Sequence, residues 1–169
     1  DTVSQKITNA INSADSDFSF ALFSFTSQFL ANAIANKAGS GIFTAGMIED
    51  TAYGTNPFNT MKAAMDSQLL IDKQATLLHH KYAIVDVKNI SFDPLVITGS
   101  HNWTVSADTR NDENTLIIHD DTIANIFYQE WLARYKENGG NVFAGNKIVS
   151  SGRMQDAVNV FPNPSSGIV

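Results

Sequence analysis

The sequence predicts an α/β fold in which a mixed, largely buried β-sheet is sandwiched between helices on both faces. Two observations carry that prediction. Stretches with apolar residues at helical spacing alternate with short runs that are apolar at nearly every position, as in strands covered on both sides. The 169 residues, 43% hydrophobic and 17% charged, also suit one globular domain long enough to bury a core.

The elements follow in order. Thr2 to Asn12 places Val3, Ile7, Ala10 and Ile11 on one helical face. Phe18 to Phe25, FSFALFSF, reads as a buried strand. Ser27 to Lys37 resumes helical spacing through Phe29, Leu30, Ala33 and Ile34 and stops at Gly39 and Gly41. GIFTAGMIED is a second buried strand, and Asn56-Pro57 supplies an N-cap and a first-turn proline for a short helix over Phe58 to Met65. QLLID, KYAIVDV, PLVITGS and ENTLIIHD read as strands, with one or two helical turns in NWTVSADT. Asp121 is expected to cap a last helix with Ile123, Ile126, Phe127, Trp131 and Tyr135 on its inner face, ended by Asn138-Gly139-Gly140. No internal repeat or low-complexity tract interrupts this order.

Composition excludes several classes. Without cysteine there is neither a disulfide framework nor a thiolate metal site. A net charge of −6 does not advertise a basic nucleic-acid or membrane-binding face, although one phosphate pocket can sit in an acidic protein. No apolar segment approaches the length of a membrane span. The chain opens on Asp1 with neither Met nor a signal peptide, as expected of a processed or trimmed product.

The chemistry concentrates in LLHHKYAIVD, where His79, Lys81 and Asp86 form H-x-K-x4-D. Downstream, Gly99, Ser100 and Asn102 form G-S-x-N, and Glu113 follows inside NDEN. Taken singly, a histidine at a strand edge is a solvated structural residue, Lys81 a snorkelling lysine, Asn102 a helix cap and Glu113 a surface carboxylate. Taken together and in this order, they resemble the phospholipase D superfamily, and GSHNWTVSA and RNDEN look most like its single-motif endonucleases and related phosphodiesterases. The resemblance runs from about Val3 to Tyr135 and implies a phospholipase D-like fold.

A phosphodiester repels nucleophiles and has a poor leaving group. Its site must neutralise non-bridging oxygens, supply a nucleophile and protonate the departing oxygen. The resemblance implies that the imidazole of His79 attacks phosphorus and forms a phosphohistidine. Lys81, two residues on, projects from the same strand face and is expected to hold a phosphate oxygen. Asn102, the hydroxyl of Ser100 and backbone N–H groups of GSHN are expected to add donors. The family places a carboxylate at Glu113 to hold the far nitrogen of the histidine. For Asp86 the resemblance suggests a structural part, supporting the motif. Structural roles are favoured for His80 and His101, His119 has no evident partner, and Tyr82 and Trp103 read as core. No cofactor and no catalytic metal is expected: the resemblance implies a metal-independent mechanism, and neighbouring His79 and His80 point to opposite strand faces.

The family brings two motifs together, one histidine attacking and the other protonating the leaving group, and this chain carries one. A second motif is expected from a homodimer mate or from a domain absent from this chain. The expected organisation is a catalytic domain over 1–140, a linker over 141–157, and at 158–169 the truncated start of a secretion sorting domain. VNVFPNPSSGIV resembles the opening of the C-terminal sorting domain of the type IX secretion pathway, which implies a secreted or cell-surface protein of a Gram-negative bacterium. Two function classes follow. One is a phosphodiesterase with nucleic acid as favoured substrate and phospholipid as alternative; the other is a half-site or non-catalytic phosphate-binding module. The intact motif favours the first.

Overall fold

The computed structural model describes residues 2–50 and 52–141. The expected sorting-domain start, and the linker from residue 142 on, lie outside the described residues. The elements are α1 (Val3–Asn12), β1 (Asp17–Leu22), α2 (Gln28–Gly39), β2 (Phe43–Glu49), α3 (Thr55–Met65), β3 (Leu69–Asp72), β4 (Lys81–Val85), β5 (Leu95–Gly99), α4 (Val105–Thr109), β6 (Thr115–His119) and α5 (Asp121–Glu137).

The strands form one six-stranded sheet in the order β3-β2-β1-β4-β5-β6. Parallel pairing runs through β1, β2 and β3, while β4, β5 and β6 pair antiparallel, so the sheet is mixed as expected. Alternation along β1 sends Phe18, Phe20 and Leu22 into a core with Ile7 and Ile11 of α1, Leu30 and Ile34 of α2, and Met61 of α3. Ala21 joins the other core, where Ala45, Met47, Ile84 and Val96 meet Ala124, Tyr128, Trp131 and Tyr135 of α5. Trp131 also donates its indole N–H to the Phe20 carbonyl at 2.9 Å, tying α5 to the central strand.

Several local expectations shift. β1 ends at Leu22, and Phe25 keeps only isolated bridges to Tyr53 and Trp103. The α3 helix begins at Thr55 with Gly54 as an N-cap that makes no side-chain bond, so neither Asn56 nor Pro57 opens it. Asp120, not Asp121, caps α5, its carboxylate accepting from Ile123 N. The inner face of α5 is correspondingly Ala124, Tyr128, Trp131 and Tyr135, with Ile123, Ile126 and Phe127 at its margin.

Register gathers the functional ends. Leu22 pairs with Lys81, and Gly99 pairs with Thr115. The carboxyl ends of β1, β2, β3 and β5 and the amino ends of β4 and β6 therefore share one edge, beside the point where parallel pairing gives way to antiparallel. Asp86 stands at the opposite edge. It is 1% exposed and adopts φ +57°, and its Oδ1 accepts from Asp15 N at 2.8 Å, Ser16 N at 2.7 Å and Ser16 Oγ at 3.1 Å. Those bonds fix where β1 starts against β4, at the end of the sheet remote from His79.

Asp86→Ala leaves those partly buried donors without their buried acceptor and is expected to cost roughly 1–3 kcal/mol of stability in urea unfolding. A loss below about 1 kcal/mol would remove Asp86 from the account of β1 register.

Candidate active site

His79 precedes β4 in an extended segment and is exposed; Lys81 is the first residue of the strand. Their side chains meet as same-face neighbours do: Lys81 Nζ lies 3.3 Å from Nε2 and 3.4 Å from Nδ1 of the imidazole, and donates to the His79 carbonyl at 3.1 Å. Phe23, just past β1, floors both, with its ring centroid 4.7 Å from that of His79 and 5.0 Å from Lys81 Nζ. Burial pushes the Lys81 ammonium below the usual lysine range, against the raising effect of Glu113. The segment is held from below by Glu49 at the end of β2, whose Oε2 accepts from Leu78 N at 2.8 Å.

The Gly99–Asn102 loop leaves β5 beside Lys81. Gly99 sits at φ +143°, where a Cβ would stand 2.3 Å from the Asn114 carbonyl oxygen, so only glycine lets the loop close on Asn114. The N–H groups of Ser100 and His101 donate to that carbonyl at 3.2 and 3.3 Å. They are not turned toward an anion, contrary to the expectation from GSHN. Ser100 is likewise engaged: its hydroxyl donates to Glu113 and accepts from Asn114 N at 3.1 Å. Thr104, not Asn102, caps α4. Asn102 Oδ1 is buried without a hydrogen-bond partner among the described residues.

Glu113 accepts from Ser100 and, at 3.0 Å, from Asn111 Nδ2. Those two hydrogen bonds chiefly, then the nearby His101 and Lys81, hold its carboxyl below the usual glutamate range. The site edge therefore carries an ammonium, an ionised carboxylate, an exposed imidazole and an amide. That set can neutralise a phosphate, attack it and orient a ring. Among the described residues no three His, Asp or Glu side chains converge as a metal-holding group.

The family profile described as "Cardiolipin synthase, PLD-like domain" matches residues 7–134. The chain belongs to the phospholipase D-like family. It is 30% identical over 136 residues to a phospholipase D of Rickettsia conorii, and 32% identical over 136 residues to the mitochondrial cardiolipin hydrolase of Mus musculus. Each match takes in 78% of this chain but only 64% and 58% of those relatives, so the chain spans less than two thirds of their length. Its fold matches the crystal structure of a phospholipase D family member, Nuc from Salmonella typhimurium. That match has a TM-score of 0.65 and 25% identity, and covers 78% of this chain and 86% of that one.

Within this phospholipase D-like frame, His79, Lys81, Ser100, Asn102 and Glu113 come to one edge while Asp86 does not. His80 and His101 leave the motif face. His80 turns to Glu130 of α5, its Nε2 3.3 Å from Oε1. His101 is 3% exposed with both ring nitrogens unpartnered. Tyr82 and Trp103 are core, as expected. His119 does have a partner, Asp93 at 2.7 Å, on the far edge. Sequence reasoning missed Phe23, Glu49 and Asn111. Only Asn111 carried a signal, by flanking Glu113 in NDEN.

Burial pushes the His101 imidazole below the usual histidine range, opposed by Asp108 and Glu113. Its folded pKa is depressed, so as pH falls below about 6.5 the unfolded chain takes up a proton that the folded chain refuses, and stability drops. His101→Leu, which leaves no orphaned nitrogen, is expected to melt no lower than the parent at pH 7.5 and to lose less between pH 7.5 and 5.5. Parallel melting curves for the two proteins would remove His101 from the pH dependence.

Proposed function

We propose that this chain is a metal-independent phosphodiesterase working through a phosphohistidine on His79, with nucleic acid as the favoured substrate. The observation that carries the reading is the Lys81 ammonium against the exposed His79 ring, on the same edge as Asn102 and Glu113. An imidazole nitrogen of His79 attacks phosphorus, a P–N bond forms and the P–O bond to the leaving alcohol breaks. Lys81 and the amide N–H of Asn102 balance the charge gathering on the non-bridging oxygens. A second histidine protonates the leaving oxygen, then takes a proton from the water that attacks phosphorus and breaks the P–N bond.

That second histidine comes from a homodimer mate, or from another domain of a longer protein. Glu113 bonds Ser100 and Asn111 within its own chain. Its remaining acceptor capacity serves the histidine that arrives from the second copy, fixing the tautomer there. Phospholipid is the second reading, favoured by the names of the Rickettsia and Mus musculus relatives. For location, the likeness of 158–169 to a type IX sorting domain supports export to the surface of a Gram-negative bacterium.

The test is turnover of bis-nitrophenyl phosphate in excess chelator. His79→Ala should lose activity by on the order of a thousandfold or more. In subunit-exchanged mixtures with that variant, activity should fall as the square of the wild-type fraction, because one site needs both histidines. A linear fall would assign each chain a complete site. Wild-type rates in His79→Ala would end the nucleophile assignment.

A further inference from the structure

Alternation along the catalytic stretch divides it between two faces. His79 and Lys81 face the phosphate-binding side, against Phe23. His80 and Tyr82 face α5, where their rings meet edge-on at 5.4 Å and Tyr82 packs edge-on against Phe127 at 5.1 Å. One carboxylate of α5 takes both. Glu130 Oε1 lies 3.3 Å from His80 Nε2, and Oε2 accepts the hydroxyl of Tyr82. Arg134, one helical turn on, donates its Nε–H to Oε1 at 3.2 Å and is itself tied to Glu137 at 2.5 Å.

The chemistry of this group is consistent throughout. Burial would raise the Glu130 carboxyl, but bonds from His80 and Tyr82 and the charges of His80 and Arg134 bring it below the usual glutamate range. Burial, with Glu130 alongside, pushes the Tyr82 phenol well up, so it remains a donor. A charged acceptor thus meets a buried neutral phenol and, at the half-exposed rim, a guanidinium; charge assistance strengthens both bonds. Among the described residues the exposed His79 ring has no comparable anchor: its polar neighbour is Lys81, which a phosphate would recruit. What fixes His79 is the backbone on either side of it, at Leu78 through Glu49 and at His80 and Tyr82 through Glu130.

We propose that Glu130 is a positioning residue for the proposed nucleophile, gripping His80 and Tyr82 so that the segment entering β4 aims the His79 ring at phosphorus. The inference rests on the reading of His79 given above. Lys81 stays paired with Leu22 of β1 and Asn102 lies on another loop, so loss of the grip leaves phosphate binding largely intact while the attacking nitrogen of His79, ahead of the ladder, loses its alignment; turnover falls and KM does not.

The experiment is steady-state and single-turnover hydrolysis of bis-nitrophenyl phosphate by full-length chains, with melting temperatures recorded for each. Glu130→Ala is expected to lower kcat and phosphoenzyme formation by roughly ten- to a hundredfold, with KM within about twofold. Glu130→Gln, which keeps an acceptor for Tyr82, should recover to within about threefold of the parent kcat. Tyr82→Phe should lower kcat more modestly, and adding it to Glu130→Ala should cost nothing more, because both act through one contact. Should Glu130→Ala fail to fold, Tyr82→Phe carries the test, since it too must lower kcat at constant KM. A folded Glu130→Ala with parent kcat, losses that multiply across the two sites, or no recovery in Glu130→Gln overturns the proposal. His79→Ala separates the two layers. Activity surviving there sinks the nucleophile reading, whereas a dead His79→Ala beside an unaffected Glu130→Ala sinks only the positioning role.

Discussion

Everything at the site depends on β1 being paired in two senses at once, parallel to β2 and antiparallel to β4. The parallel ladder brings the carboxyl ends of β1, β2 and β3 to one edge. The antiparallel ladder brings the amino end of β4, with Lys81, to that edge as well. Because side chains alternate with period two, a one-residue slip between β1 and β4 would turn His79 and Lys81 toward α5 and His80 to the opposite face. The sheet guards against that slip from the far end, where Asp86 binds the chain entering β1. It is guarded at mid-height too, where Trp131 bonds Phe20. The aspartate of H-x-K-x4-D thus stands apart from the edge that carries His79 and Lys81 and bears on it through register.

The site edge is electrostatically asymmetric in a way that suits an anion which arrives and leaves. Lys81 is partly stripped of water and its ammonium is correspondingly less stable. Glu113 compensates from across the loop and is itself held ionised by Ser100 and Asn111. In the proposed reading, a phosphate beside Lys81 supplies the counter-charge that its partly desolvated ammonium lacks, without a buried ion pair to be broken first. Burial of His101 under the same loop adds an uncharged imidazole where a proton would be costly, so its contribution to stability is lost as the pH falls.

Much of this was legible in the sequence because buried strands and inward helix faces write periodicity directly. FSFALFSF and GIFTAGMIED gave two inner strands, and the ordered spacing of His79, Lys81, Asn102 and Glu113 singled out residues that the fold brings to one edge. Errors fell where one residue decides between neighbours of similar chemistry. Asp120 and Asp121 are both good caps, and only backbone direction selects the first. Asn56-Pro57 looked like a helix start, yet the chain already turns at Gly54, which offers no side chain. The Ser100 and His101 N–H donors expected from GSHN were misread because the Asn114 carbonyl that claims them lies fourteen residues beyond Ser100, across a strand pair. Glu130 was invisible for a stronger reason: its tie to His80 requires knowing that α5 covers the β4 side of the sheet.

The central claim is a double displacement at phosphorus, with His79 bonded to it between the two steps. The stereochemical course on a chiral phosphorothioate diester, with transfer to an alcohol or isotopic water, reads that most directly. Two in-line displacements predict retention of configuration. Inversion would mean that water attacks in a single step, leaving His79 as a base, and would contradict the account.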